Sequence, residues 1–401
     1  MKKFLYAFIS IFTALISLLF LDFSLGKKKH KQHAQMRKYP ERNSHLLILT
    51  DGKRLYADLF NEIRQAQYHI HVLFFIISND KISQQFLNLL KQKAMEGVTV
   101  RLLLDRLGGL KLKNKDIERL NAAGVHFSYS QTPGFPYYFH SIMARNHRKI
   151  VIIDGSIAYI GGFNIGKKYI DGDPSLTPWR DYNIKFTGMG VLDLQREFFR
   201  DWTRATKRAI QANTQYFPLL EHGPTQHQLL ATDGNGLEDE LSSLINKAKQ
   251  SLLIGTPYFI PTPKLLQVLK DALHRGVELS IIVPDLSDHP LVKEAGLHYL
   301  RKLALLGAKV YQYQNGFYHT KLLIADEKVC DLGTANFDKR SMNLNSEINC
   351  LIEDPATLQV ILDKTQEDLL NSTLLSTEDL MTTNPLKKAK EWIAVALSDL
   401  L

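Results

Sequence analysis

The sequence predicts an α/β protein of two duplicated lobes with one active site between them, preceded by a single membrane-spanning helix. Three observations carry this. The chain opens with an uncharged apolar run, Phe4 to Leu21. Amphipathic helices then alternate with apolar strands, the pattern of α/β layers. Three sequence landmarks recur in the same order in both halves, the mark of internal duplication.

The apolar run is 18 residues long, close to the roughly 20 that cross a hydrocarbon core. Lys2 and Lys3 precede it; Lys27, Lys28, Lys29, Lys31, Arg37 and Lys38 follow it. The excess of positive charge places the downstream side in the cytoplasm. A cleaved signal peptide is the rival reading, because Ser24-Leu25-Gly26 offers small residues at a cleavage-like spacing. The run, however, exceeds an h-region of about 7–15 residues. The expectation is an anchor over residues 1–26, single-pass in the cell membrane, with cytoplasmic lobes. Residues 27–42 are basic and read as a solvated tether able to rest on anionic headgroups.

Apolar residues make up 45% and charged residues 23% of the chain, which excludes extended disorder. The net charge of +9 favours an anionic partner: nucleic acid, a membrane face or a phosphorylated substrate. Cys330 and Cys350 form no metal-like pair. Two cysteines make no disulfide framework, and both read as buried apolar residues.

The duplication begins at Ala94 to Asp105, a helix ending near Gly97 and then a strand. It is echoed by Leu273 to Val283, with Gly276 in the same place. Ala123-Gly124-Val125 pairs with Leu306-Gly307-Ala308, and His147 to Asp154 with His319 to Asp326. The first lobe is expected over 43–212 and the second over 213–384, with a crossover at Tyr216 to Gly236, rich in Pro and Gly. The first lobe carries an insertion, since 23 positions separate Gly124 from His147 but only 12 separate Gly307 from His319. It contains Pro133-Gly134-Phe135-Pro136-Tyr137-Tyr138-Phe139 and reads as an acyl-chain entrance, an element dipping into the membrane interface, or a packed loop. Residues 385–401 are expected to form an amphipathic helix, with Leu386, Ile393, Leu397 and Leu400 on one face and Lys387, Lys388 and Lys390 nearby. That helix either lies at the interface or docks on the core.

Each lobe holds one chemical pattern: His-x-Lys, four residues, Asp, six residues, Gly-[Gly/Thr]-x-Asn. In the first lobe it is His147, Lys149, Asp154 and Gly161-Gly162-Phe163-Asn164; in the second, His319, Lys321, Asp326 and Gly333-Thr334-Ala335-Asn336. In extended chain, residues i and i+2 face one side, so His and Lys project together. Two lysines neutralise a phosphodiester and stabilise charge on its equatorial oxygens, and Asn164 and Asn336 add donors. Two histidines divide the covalent work: one attacks phosphorus, the other protonates the leaving alkoxide. With lysines in the charge-neutralising role, neither a metal nor a cofactor is expected, and His69-x-His71 reads as part of a strand. A nucleophilic histidine needs its other nitrogen held by an acceptor. Asp181, 34 residues after His147, and Glu347, 28 after His319, are the candidates.

Two copies of this pattern in register resemble the phospholipase D superfamily and, more closely, the bacterial cardiolipin synthases. The closer likeness rests on Trp179-Arg180-Asp181, Thr256 to Pro261, Pro284 to His289 and Asn336 to Glu347, and spans about Asn43 to the C-terminus. Members of that family commonly begin with two membrane helices; this chain shows one. The resemblance implies phospholipase D-like lobes and a ping-pong phosphatidyl transfer through a phosphatidyl-histidine. His147 would be the nucleophile and His319 the acid and base. Lys149, Lys321, Asn164 and Asn336 would hold the phosphate, Asp181 would orient His147, and Glu347 would orient His319. Asp154 and Asp326 would support the lysines and loop geometry. Phosphatidylglycerol and membrane lipids are the implied partners, with cardiolipin and glycerol as products and no nucleic acid expected. The alternatives are a hydrolytic phospholipase D, another phosphatidyltransferase, a nuclease of the same superfamily, or a scaffold with relic motifs.

Overall fold

The computed structural model describes residues 1–381 and 384–400; residues 382, 383 and 401, at the ends of the expected second lobe and C-terminal helix, lie outside the described residues. The first half holds β1 (Met36–Lys38), β2 (Arg42–Leu49), β3 (His69–Phe74), β4 (Thr99–Asp105), β5 (His126–Ser130), β6 (Ile150–Ile153), β7 (Ile157–Gly161), β8 (Trp179–Arg180) and β9 (Asn183–Gly188). The second holds β10 (Thr225–Asp233), β11 (Ser251–Gly255), β12 (Glu278–Pro284), β13 (Lys309–Tyr313), β14 (Phe317–Tyr318), β15 (Leu322–Ala325), β16 (Val329–Gly333), β17 (Ser346–Ile352) and β18 (Ser372–Leu375).

One sheet crosses the molecule in the order β5-β4-β3-β6-β7-β9-β2, then β10-β17-β16-β15-β11-β12-β13-β18. The duplication is therefore a topological repeat of seven strands, to which the second lobe adds β18 as an eighth at its outer edge, joined where β2 and β10 run antiparallel. β3, β4 and β5 of the first lobe and β11, β12 and β13 of the second run parallel, while the inner strands and the edge strand β18 pair antiparallel. Strands such as β6, Ile150-Val151-Ile152-Ile153, are buried on both faces, which is why they read as unbroken apolar runs. The landmark glycines end helices: Gly97 and Gly276 have φ of +94° and +85°, a conformation that suits glycine.

The two lobes share a core. Ile150, Phe186 and Phe198 of the first pack in one cluster with Ile324, Cys330, Cys350 and Ile361 of the second. Both cysteines are buried and free. The expected crossover contains a strand, since β10 fills Thr225 to Asp233 between the segments that flank it.

The N-terminal helix runs from Lys2 to His33, and its apolar length is exposed. It is long and apolar enough to span a bilayer. The tether expectation needs correcting. The helix continues through the basic residues, which are good helix formers, and β1 then pairs with β10. Arg37 is bound by Glu197 and Asp233 at 2.7 and 2.8 Å, so this charge faces a partner rather than solvent. The aromatic insertion forms the short helix Tyr138–Met143 against the base of the N-terminal helix. There the His140 amide donates to Asp22 (2.9 Å), and Phe139 packs on Phe23. Phe135 at its tip is 88% exposed. The C-terminal helix, Pro385–Ala396, buries Glu391 and Ala394, with Glu391 paired to Arg301 at 2.8 Å, and leaves Leu386, Trp392 and Ile393 exposed.

Candidate active site

His147 and Lys149 sit in the extended link just before β6, and His319 and Lys321 in the link between β14 and β15. Each link is pinned by the opposite lobe. The His147 amide donates to Ser346 O of the second lobe (2.9 Å), and the His319 amide donates to Arg180 O of the first (2.7 Å). The parallel pair β8–β14 repeats the second crossing.

The carboxylates follow the same exchange. His147 Nδ1 lies 3.0 and 3.1 Å from the two oxygens of Glu347. His319 Nδ1 lies 2.5 Å from Asp181 Oδ2. The expected pairing within each lobe, Asp181 with His147 and Glu347 with His319, is thus reversed. Each carboxylate enters on a strand lying beside the other lobe's histidine link, so the partner comes from across the interface. A carboxylate accepts, so each pairing puts the proton on Nδ1 and leaves the Nε2 lone pair free.

The small residue of each Gly-[Gly/Thr]-x-Asn sets these carboxylates. A Cβ on Gly162 would stand 2.1 Å from Asp181 Oδ2, so only glycine admits that carboxylate. The equivalent Thr334 instead donates its hydroxyl to Glu347 Oε2 (2.6 Å), and Ser341 donates to Oε1 (3.0 Å).

Lys149 Nζ donates to His147 O (2.7 Å); Lys321 Nζ meets His319 O and lies 2.8 Å from His319 Nδ1. Burial pulls Lys149 down to about 7 and Lys321 to about 8. Burial also lowers the His147 imidazole to about 4, and burial with Lys321 holds His319 well below its usual value. Lys321 acts on His147, and Lys149 on His319, so the four groups share one field. Burial raises Asp181 to about 6. It pushes Glu347 the same way, but His147 and Lys149 outweigh it and hold Glu347 below the usual range.

Asn164 accepts from the Ile76 amide at Oδ1 (2.9 Å), leaving its NH2 to donate. Asn336 donates one N–H to Asp338 Oδ2 (3.1 Å). Asp154 and Asp326 lie outside this constellation, and the expectation that they support the lysines is overturned. Asp154 accepts from the amides of Gln67, Tyr68 and His69 at 2.7–2.8 Å. Asp326 accepts from those of Lys249, Gln250 and Ser251 at 2.7–3.1 Å. Each sits in a left-handed turn at the far end of β6 or β15, about 16 Å along the strand from its lysine at roughly 3.3 Å per residue.

Sequence reasoning missed Arg148, which lies between His147 and Lys149 and is fully buried. It donates to both oxygens of Asp201 (2.7 and 2.8 Å), to Asp233 (2.8 Å) and, through Nε, to Glu347 O (3.1 Å). Glu197 lies 3.1 Å away. The available signal was Glu197 and Asp201, acids four apart on the buried face of helix Gly190–Thr206. Phe75, 5.0 Å from the His147 ring, was also missed. His69 and His71 lie buried in β3 against Gln195, Phe198 and Tyr216. No cluster of three metal-ligating side chains occurs among the described residues. A concavity of about 850 Å³ at the β5 edge, lined by Arg101, His126, Trp202 and Arg208 among others, contains neither active-site histidine.

Residues 59–176 and 241–369 match the family described as cardiolipin synthase, PLD-like domain. The chain is 39% identical over 398 residues to the minor cardiolipin synthase ClsB of Bacillus subtilis, covering 99% of each. It is 36% identical over 394 residues to cardiolipin synthase 2 of Staphylococcus epidermidis, covering 95% of this chain and 81% of that one. Among solved structures, the phosphatidylserine synthase of Haemophilus influenzae Rd KW20 superposes with a TM-score of 0.70. That match spans 94% of this chain and 100% of that one at 17% identity, a likeness of fold. Both lobes are matched and the relatives align nearly end to end, so the chain belongs to the cardiolipin synthase family of phospholipase D-like phosphatidyltransferases.

Proposed function

We propose that the protein transfers a phosphatidyl group between two molecules of phosphatidylglycerol, giving cardiolipin and glycerol. The observation that carries this reading is the pair of buried histidines, each with Nδ1 on a carboxylate of the opposite lobe and a lysine beside it.

His147 is the nucleophile. Its imidazole is neutral at neutral pH, and Glu347, held low, stays ionised to stabilise the positive charge that forms on attack. Nε2 forms the bond to phosphorus as the bond to the glycerol oxygen breaks. His319 enters this step as the imidazolium, with Asp181 on Nδ1 and the anionic phosphodiester beside it, and gives that oxygen its Nε2 proton, which leaves the ring neutral. The hydroxyl of a second phosphatidylglycerol then gives its proton to His319 and attacks phosphorus, breaking the bond to His147. Asp181, on Nδ1, stabilises the positive charge that His319 carries between the two proton transfers. Lys149, Lys321, Asn164 and the remaining N–H of Asn336 hold the phosphoryl oxygens. The phosphodiester bond formed is equivalent to the one broken, so no nucleotide is consumed.

The basic residues after the apolar helix favour lobes on the cytoplasmic face, with the helix as single-pass anchor. The exposed Phe135 beside the base of that helix suits contact with the bilayer surface.

The test is product analysis on purified protein in detergent–lipid micelles with labelled phosphatidylglycerol, excess chelator and no nucleotide. Cardiolipin and free glycerol in equal amounts are expected. Phosphatidic acid in place of cardiolipin would make water the acceptor and overturn the transfer reading.

A further inference from the structure

The two halves of the site differ beside their histidines. Next to His147 stands Phe75, with Lys149 Nζ 5.7 Å from its ring. Next to His319, at 6.5 Å between ring centres, stands Tyr258. Its hydroxyl donates to Asp288 Oδ1 (2.7 Å). Asp288 Oδ2 lies 4.0 Å from Lys168 Nζ and 3.9 Å from His289 Nε2. Lys168 rests over Trp179 at 4.8 Å, and that ring is 4.8 Å from the His319 ring.

The Asp288 side chain is only 9% exposed. A carboxylate offers about four acceptor positions, yet among the described residues the Tyr258 hydroxyl is the one hydrogen-bond donor to it. Oδ2, to which no described residue donates, is therefore open to further donors. The Asp288 charge is felt at both His319 and Lys321, and Tyr258 links it to the His319 ring. Lys168 comes from the first lobe and Asp288 from the segment before helix Val292–Ala304 of the second, so the cluster bridges the cleft.

We propose that Asp288, with Tyr258 and Lys168, is a polyol subsite that accepts hydroxyl hydrogens of the glycerol headgroup, both as it leaves and as it arrives on the acceptor lipid. The inference rests on the transfer reading above and names the ligand chemistry on the His319 side. Lys168 is what selects a neutral polyol. An ammonium headgroup drawn to Asp288 meets the Lys168 charge, and a headgroup carrying a carboxylate is repelled by Asp288. On the other side, Phe75 offers no group that binds a hydroxyl.

The test uses the full-length protein with phosphatidylglycerol micelles and a fixed concentration of ethanol as rival acceptor. Both acceptors meet the same phosphatidyl-enzyme, so the ratio of cardiolipin to phosphatidylethanol reads acceptor recognition alone. A variant that merely folds poorly loses both products together and keeps the ratio. Asp288→Ala is expected to lower the ratio about tenfold, the loss of a charge-assisted hydroxyl contact. The isosteric Asp288→Asn lowers it about threefold or more and serves if the alanine variant is poorly folded. Ratios within twofold of wild type in both variants overturn the subsite. Phosphatidylethanol without cardiolipin from the wild type would instead overturn phosphatidylglycerol as the acceptor, and the subsite with it.

Discussion

His147 Nδ1 lies 3.0 Å from Oε2 of Glu347, a carboxylate 200 positions along the chain and in the other lobe. With His319 and Asp181 related in the converse way, neither lobe holds a complete histidine–carboxylate pair of its own. Glu347→Gln and Asp181→Asn are each expected to lower kcat by about 10²–10⁴-fold with the fold intact, because the tautomer is no longer held. Steady-state rates beside melting curves check this; a loss below tenfold in both variants would contradict the exchanged pairing.

The assignment of the nucleophile separates the two histidines. With a donor whose leaving group needs no proton, such as a radiolabelled nitrophenyl ester of phosphatidic acid, His319→Asn is expected to retain the label covalently. His147→Asn is expected to retain none. Labelling confined to His147→Asn would reverse the roles.

Gly162 faces the Asp181 carboxylate so closely that a Cβ there would stand 2.1 Å from Oδ2. Gly162→Ala should therefore push Asp181 off His319 and lower kcat at least tenfold. Thr334→Gly, at the equivalent place, removes only one hydroxyl from Glu347 and should have the smaller effect on rate.

Arg148 faces Glu197, Asp201 and Asp233 with no exposure to water; Arg37 and Arg204 complete the balance at Asp233. Arg148→Met leaves buried acids short of a cation and should cost about 3–5 kcal/mol. A thermal melt reads this, and a melting temperature equal to wild type would show the cluster relaxing at no cost.

The lysines set an alkaline limit. Lys149 and Lys321 have values lowered to about 7 and about 8, so they are cationic below those values and neutral above. kcat/KM, which reports the free enzyme, should fall as pH rises through 7 to 8. Asp181, raised to about 6, protonates below that value and loosens its hold on His319, giving an acid limb near 6. Lys149→Arg keeps its charge throughout and should move the alkaline limb upward; an unmoved limb in that variant would remove Lys149 from the titration.

The lobes, the apolar helix and the His-x-Lys pairs were legible because each is a local signal. Hydrophobic period, landmark glycines and the i, i+2 spacing survive in sequence without knowledge of what packs against what. The repeat also made the strand order of one lobe a guide to the other. Where local reading erred, charge found a partner far along the chain. The basic tether became helix and strand because Arg37 meets Glu197 and Asp233, and Asp154 and Asp326 proved to cap the starts of β3 and β11.

By itself, then, the sequence determined which chemical groups this protein owns and that they come in two sets. Only the tertiary structure decided which carboxylate serves which histidine. Joining β2 to β10 sets the lobes side by side in one sheet, and each histidine link lies against a strand of the other lobe. Spacing along one chain carries no record of that pairing, because the two lobes offer equivalent acids at nearly equal distances from their own histidines.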